Sequence, residues 1–134
     1  VKDLDFGMSE IIVRSGKGMK DRATIFPESL KTEIREHLEK IRHQHTMDLE
    51  KGYGSVYMPF ALGKKYPNAQ HAWIWQYVFP ADSYSKDPRS KAVQRHHIHD
   101  QMVQRNVSKA AKKTMIDKHV TPHVFRHTFA THLL

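Results

Sequence analysis

A histidine and an arginine one helical turn apart can share one phosphate. His123 and Arg126 stand at i and i+3 in TPHVFRHTFATHLL, so on a helix both project from the same side. A guanidinium beside an imidazole offers a non-bridging phosphate oxygen two neighbouring donors. Thr121 is a good N-cap and Pro122 a good first helical residue, which places the pair early in a helix. Backbone N–H groups and the helix dipole favour an anion there. The same spacing also fits a His and an Arg on a solvated helix face. Lys17, between Gly16 and Gly18, is a further candidate. A lysine on a mobile tip can bring a cation or a proton to a phosphate, although such lysines are usually just solvated.

Eleven histidines also raise a metal site. His96, His97, His99 and Asp100 form the densest cluster, and His123 and His127 stand at i and i+4. An H-E-x-x-H site needs Glu where Val124 stands, and an H-x-H-x-D-H site needs a spacer before Asp100. A metal-dependent nuclease is therefore a poorly matched alternative. No cysteine is present, so there is neither a disulfide framework nor a thiolate zinc site.

Several elements must position these residues. Residues 10–15 (EIIVRS) and 22–26 (RATIF) read as two strands of a hairpin around a glycine-bearing turn with Lys17 at its tip. After Pro27, Leu30, Ile34, Leu38 and Ile41 recur at helical spacing, predicting a helix over about 28–50 that stops at Gly52. Residues 53–68 read as loop. The apolar run AWIWQYVF (72–79) reads as a strand with Trp73 and Trp75 on one face, either packed in the core or offered to a ligand. Residues 81–90 read as loop, 91–98 as a short strand, and a helix runs from His99 or Asp100 to about residue 117. The last helix starts at Thr121–Pro122. The expected class is α+β, mainly α-helical, with a small antiparallel hairpin or sheet at one side.

Composition narrows the partners. At 134 residues there is room for one domain with one core. Lys and Arg number 22 against 14 Asp and Glu, a formal net charge of +8, which favours a polyanion such as nucleic acid. No apolar run has the length of a membrane span, and VKDLDF has no signal-peptide character; this fits the cytoplasm. The chain begins at Val1 without a methionine and stops at Leu134 inside an amphipathic pattern, so both ends read as cut points.

The segments together resemble a known family. TPHVFRHTFATHLL resembles the H-x-x-R-H-(T/S)-x-A-T-H-L-L segment of tyrosine recombinases, and GKGMKDR resembles their β-hairpin lysine segment, in the same order and at a fitting separation. Val124 and Phe125 replace a more usual polar residue and Leu but remove no reacting group. Between the two motifs lies LGKKYPNAQHAWIWQYVFPADSYSKDPRSKAVQRHHIHDQMVQRNV. With its W-x-W-Q-Y-V-F-P run and R-H-H pair, it looks like the insertion of integron integrases, over about 61–106.

The resemblance implies DNA cleavage and rejoining through a 3′-phosphotyrosyl link, without ATP or a catalytic metal. Lys17 would be the general acid toward the 5′-oxygen. Arg126 would clamp the phosphorane oxygens, and His123 would hydrogen-bond the same centre and assist proton transfer. Residues 1–134 would be a partial catalytic domain, lacking the first arginine and the nucleophilic tyrosine. Tyr53, Tyr57, Tyr66, Tyr77 and Tyr84 all precede the His–Arg helix, whereas the nucleophile follows it. Alone, the segment would be catalytically inactive and bind DNA only. His127 and His132 belong to the motif as structural neighbours. Integron integrases also recombine a folded single-stranded hairpin site with extrahelical bases, besides a duplex site. Trp75, Pro88, His96 and His97 would hold those bases and Lys65 would contact the backbone. The implied protein partners are further recombinase subunits, as a tetramer on two DNA sites.

Overall fold

Two units make up the chain, Val1–His97 and Ile98–Leu134, and the computed structural model describes residues 1–16, 18–58 and 60–132 of them. In the first unit, strands β1 (Leu4–Asp5), β2 (Glu10–Val13) and β3 (Arg22–Ile25) form an antiparallel sheet in the order β1-β2-β3. The hairpin expected from EIIV and RATI is present, with Glu10 opposite Ile25 and Val13 opposite Arg22. The two-residue strand β1 was not foreseen, being too short to show alternation. It pairs because Asp5 turns the chain back: its carboxylate accepts the Gly7 and Met8 N–H groups at 2.9 and 2.8 Å. Exposed ion pairs brace the hairpin turn, Arg14 reaching Asp3 at 2.9 Å and Asp21 at 2.8 Å. Such pairs contribute little energy, but the Ser15 N–H also donates to Asp21 at 2.9 Å, so the same carboxylate sets the turn's path.

Helix α1 (Glu28–Glu50) has the predicted bounds. Its packing face is unusually polar. Leu38 is buried, but so are Lys31, His45 and Asp48. The Lys31 ammonium donates to the Phe6 carbonyl (3.0 Å) and to Ser9 Oγ (2.7 Å), tying the helix to the β1–β2 connection. Phe26, just after β3, packs edge-on against Phe6 at 5.1 Å. The helix ends where expected: Gly52 takes φ 80°, and the Gly52 and Tyr53 N–H groups reach back to the Leu49 and Asp48 carbonyls at 3.0 and 2.8 Å. These are the two bonds of a Schellman ending. Gly54 matters for another reason. A Cβ there would lie 2.7 Å from the Leu49 side chain and 2.8 Å from the Leu49 nitrogen. Gly54→Ala is expected to destabilise the unit by about 1–3 kcal/mol, more than the roughly 1 kcal/mol of Gly52→Ala. Urea midpoints of the two variants check this, and an unchanged midpoint for Gly54→Ala would contradict it.

Three expectations need correction beyond this helix. Residues 53–68 are not all loop, because Phe60–Lys65 forms a short helix, α2, closed by the Tyr66 N–H on the Leu62 carbonyl at 2.8 Å; Gly63 disguised it. The run 72–79 is not a strand. Ala69–His71 and Trp73–Trp75 are 3₁₀ turns, held by the Gln76 side chain, whose Nε2 donates to the Gln70 and Ala72 carbonyls at 3.1 and 3.2 Å. Residues 81–90 are largely strand: β4 (Pro80–Lys86) pairs antiparallel with β5 (Val93–His97), with Tyr84 opposite Arg95.

This polar hairpin is secured by side-chain bonds to α1. Asp48 accepts from the Tyr84 hydroxyl at 2.6 Å and from Arg95 Nε and Nη2 at 2.7 and 3.1 Å. Burial alone would push the Asp48 carboxyl up, but the Arg95 and Tyr84 hydrogen bonds and the Arg95 charge outweigh it and hold it below its ordinary value. Arg95 also donates to the Ala81 and Asp82 carbonyls at 2.9 and 2.7 Å.

In the second unit, α3 (Asp100–Lys113) is capped by His99, whose Nδ1 accepts the Gln101 N–H at 3.2 Å. It stops short of residue 117, because Thr114 turns its hydroxyl back onto the Ala111 carbonyl (2.8 Å) and Met115 takes φ 53°. Helix α4 (Pro122–His132) follows. Among the described residues no helix is long and apolar enough to cross a membrane.

Candidate functional site

Local chemistry builds the start of α4. Thr121 Oγ1 accepts the Val124 N–H at 3.4 Å, the bond expected of an N-cap three residues ahead. Pro122 supplies the fixed φ of the first turn. His123 and Arg126 are both exposed and line one hollow with His119, Thr121, Pro122 and, from α3, Gln104 and Ser108. Among the described residues neither side chain is tied up by a hydrogen bond or an ion pair. The arrangement is a concave face of N–H donors at a helix start, suited to a tetrahedral oxyanion. His119 was not singled out from the sequence. It lies in the connection before α4, where no periodicity places it, and only the density of histidines in DKHVTPHVFRH pointed to it.

Lys17 lies outside the described residues. The turn around it belongs to the first unit: the Gly16 N–H donates to the Lys20 carbonyl (3.0 Å), the Met19 N–H to the Gly16 carbonyl (2.9 Å), and Gly18 takes φ 77°.

The remaining candidates lie in the first unit and form two groups. Lys65 and Trp75 line one open hollow with Tyr66, Pro67, Asn68, Ala69 and Ala72. The 3₁₀ geometry sends the two tryptophans to different surroundings, contrary to the shared strand face expected for them. Trp73 meets His45 at 6.0 Å and Arg42 at 5.9 Å, on the α1 side. Trp75 has the Lys2 ammonium over its ring at 4.8 Å. Both are half-buried, so Trp75 is partly packed and partly open to the hollow.

The second group surrounds Tyr77. His96 and His97 each stand 5.3 Å from its ring and 4.2 Å from each other. Burial, then the neighbouring His97, pushes the His96 imidazole below its ordinary value, which favours the uncharged ring. Burial pushes the Tyr77 phenol up. Pro88 is exposed at the β4–β5 turn. Beside it, Asp87 is held down to about 2 by the Arg89 guanidinium, against its burial, and by the Ser90 and Arg89 N–H groups. Tyr77 completes this face, and Arg89 lies over Tyr57 beside the turn; in the sequence only the D-P-R-S turn signature at 87–90 marks them. Among the described residues no three His, Asp or Glu side chains converge as a metal ion would need.

Comparison with known proteins gives a consistent result. The model of the phage integrase family matches residues 1–134. A protein named integrase/recombinase from Escherichia coli is 49% identical over 134 residues, covering 100% of this chain and 40% of that protein. One of the same name from Pseudomonas aeruginosa has the same 49% identity and coverage. A tyrosine recombinase from Agathobacter rectalis is 57% identical over 37 residues, 28% of this chain and 12% of its own length. The chain therefore spans 40% of the length of the first two relatives.

Proposed function

The chain belongs to the phage integrase family, the tyrosine recombinases, and from that premise we propose that it is part of the catalytic domain of an integron-type enzyme of site-specific recombination. The reaction is DNA cleavage and rejoining through a 3′-phosphotyrosyl intermediate. In it Arg126 clamps the non-bridging phosphate oxygens, His123 hydrogen-bonds the same centre and assists proton transfer, and Lys17 protonates the leaving 5′-oxygen. The first arginine and the tyrosine are supplied by parts of the protein outside these residues. None of the five tyrosines follows α4, so the 134 residues alone bind DNA without cleaving it. The assembly is a tetramer of recombinase subunits on two DNA sites.

One observation carries the catalytic reading. The free, exposed His123–Arg126 pair shares a hollow at the capped start of a helix, where an anion is stabilised by both side chains and backbone. The integron reading, capture of a folded single-stranded site with extrahelical bases, rests on the first unit. There Lys65 and Trp75 line one hollow, His96 and His97 gather on Tyr77, and Pro88 is exposed at the β4–β5 turn. Stacking on such faces contributes about 1–3 kcal/mol per base. Trp75→Ala should therefore weaken binding to a bulged hairpin by roughly 5–150-fold while binding to matched duplex persists. Equal losses on both DNAs would overturn the stacking role.

A further inference from the structure

The β4–β5 turn holds a charged group in an unusual way. Asp87 is almost fully buried, 2% exposed. Its Oδ1 accepts the Arg89 and Ser90 N–H groups at 2.8 and 3.1 Å. Its Oδ2 accepts Arg89 Nη2 at 3.1 Å and the buried Gln94 Nε2 at 3.3 Å. A buried carboxylate with this many donors fixes the turn and pins one edge of the Arg89 guanidinium. The carbon of that guanidinium lies over the Tyr57 ring, 3.6 Å from its centroid. The Arg89 side chain is nonetheless 50% exposed, and among the described residues Nη1 donates to nothing.

An arginine needed only to neutralise Asp87 would not need a ring beneath it. A guanidinium stacked on an aromatic face and gripped along one edge has already lost most of its rotamer freedom. Its remaining edge is ready to form charge-assisted bonds at little further entropic cost. Next to it in the chain is the exposed Pro88, one of the residues assigned to extrahelical bases.

We propose that Arg89, stacked on Tyr57 and pinned by Asp87, binds a backbone phosphodiester of the DNA next to an extrahelical base. The proposal rests on the integron reading of the insertion. Unlike the stacking residues, Arg89 contributes charge at a fixed position, so it sets where the strand lies when its base is turned out. Tyr57 and Asp87 are positioning residues that act through it.

The test is the salt dependence of binding by the full chain, on a hairpin with extrahelical bases and on the matched duplex. Each phosphate contact contributes about one to the slope of log K against log salt concentration. For Arg89→Gln the hairpin slope should fall by about one, affinity at low salt should drop by about tenfold, and the duplex slope should not change. An unchanged hairpin slope, or an equal fall on both DNAs, overturns the assignment. Arg89→Lys keeps the charge, so its slope should match wild type while its affinity drops, since an ammonium lacks the planar fork. Wild-type affinity in Arg89→Lys would overturn the role of the stack even if Arg89→Gln failed to fold. The wild-type titrations separate the two readings. Loss of the hairpin preference itself would overturn both, whereas an intact preference with an unchanged slope overturns only Arg89.

Discussion

Arg126→Ala in the full-length protein should slow formation of the covalent protein–DNA product by about 10²–10³-fold, the usual loss when one positioned donor to a developing oxyanion is removed. The structure supplies the reason for expecting a kinetic rather than a structural effect. Arg126 is exposed and holds no partner among the described residues, so truncating it leaves nothing buried and unpaired. The unfolding free energy should stay within about 0.5 kcal/mol of wild type. Arg126→Lys should recover only part of the rate, because an ammonium is a point charge and cannot present two parallel donors to a phosphate. The measurement is single-turnover accumulation of the covalent complex on a nicked substrate, alongside a denaturant curve. A wild-type rate in Arg126→Ala would remove Arg126 from the catalytic assignment. A slow rate with a collapsed denaturant midpoint would instead mark it as structural.

The largest effect on stability should come from Asp48. Asp48→Ala is expected to destabilise the first unit by about 3–5 kcal/mol, the cost of leaving one partner of a buried ion pair uncompensated. Asp48 and Arg95 have side chains only 6% and 12% exposed, paired at 2.7 Å. Removing the carboxylate strands the Arg95 guanidinium and the Tyr84 hydroxyl together. The apolar core has little reserve, since the buried hydrophobic residues described are Phe26, Leu38 and Val56. The double variant Asp48→Leu/Arg95→Met should recover much of the loss, because an apolar pair of similar volume avoids the desolvation that the ion pair incurs. Urea unfolding of the single and double variants decides it. A single variant within 1 kcal/mol of wild type, roughly the value of an exposed pair, would mean that water reaches the cluster.

The same cluster shows where sequence reading loses its grip. Residues 81–90 are polar, carry no apolar alternation and hold Pro88, so they read as loop, yet 80–86 form β4. They form a strand because Tyr84 and Arg95 find Asp48, 36 and 47 residues away in the chain. Hydrogen-bonded partners at such separation leave no periodic trace. The aromatic run failed for the opposite reason. Its composition favours a strand, but the Gln76 side chain captures two upstream carbonyls and winds the run into turns that part Trp73 from Trp75.

By itself, the sequence determined what local chemistry controls. Pro27 and Gly52 bracket α1, Thr121 and Pro122 start α4, and His123 and Arg126 share a side through spacing alone. Each signal acts within about one turn of helix, where a few residues suffice to set the backbone. The tertiary structure alone decided that Lys65 and Trp75 share a hollow, that His96 and His97 gather on Tyr77, and that the Arg89 guanidinium lies over Tyr57. Those placements come from side chains that are distant in sequence meeting across folded elements. Their geometry is set by a few buried polar groups, Asp48, Gln76, Asp87 and Gln94, which must find partners once they are removed from water.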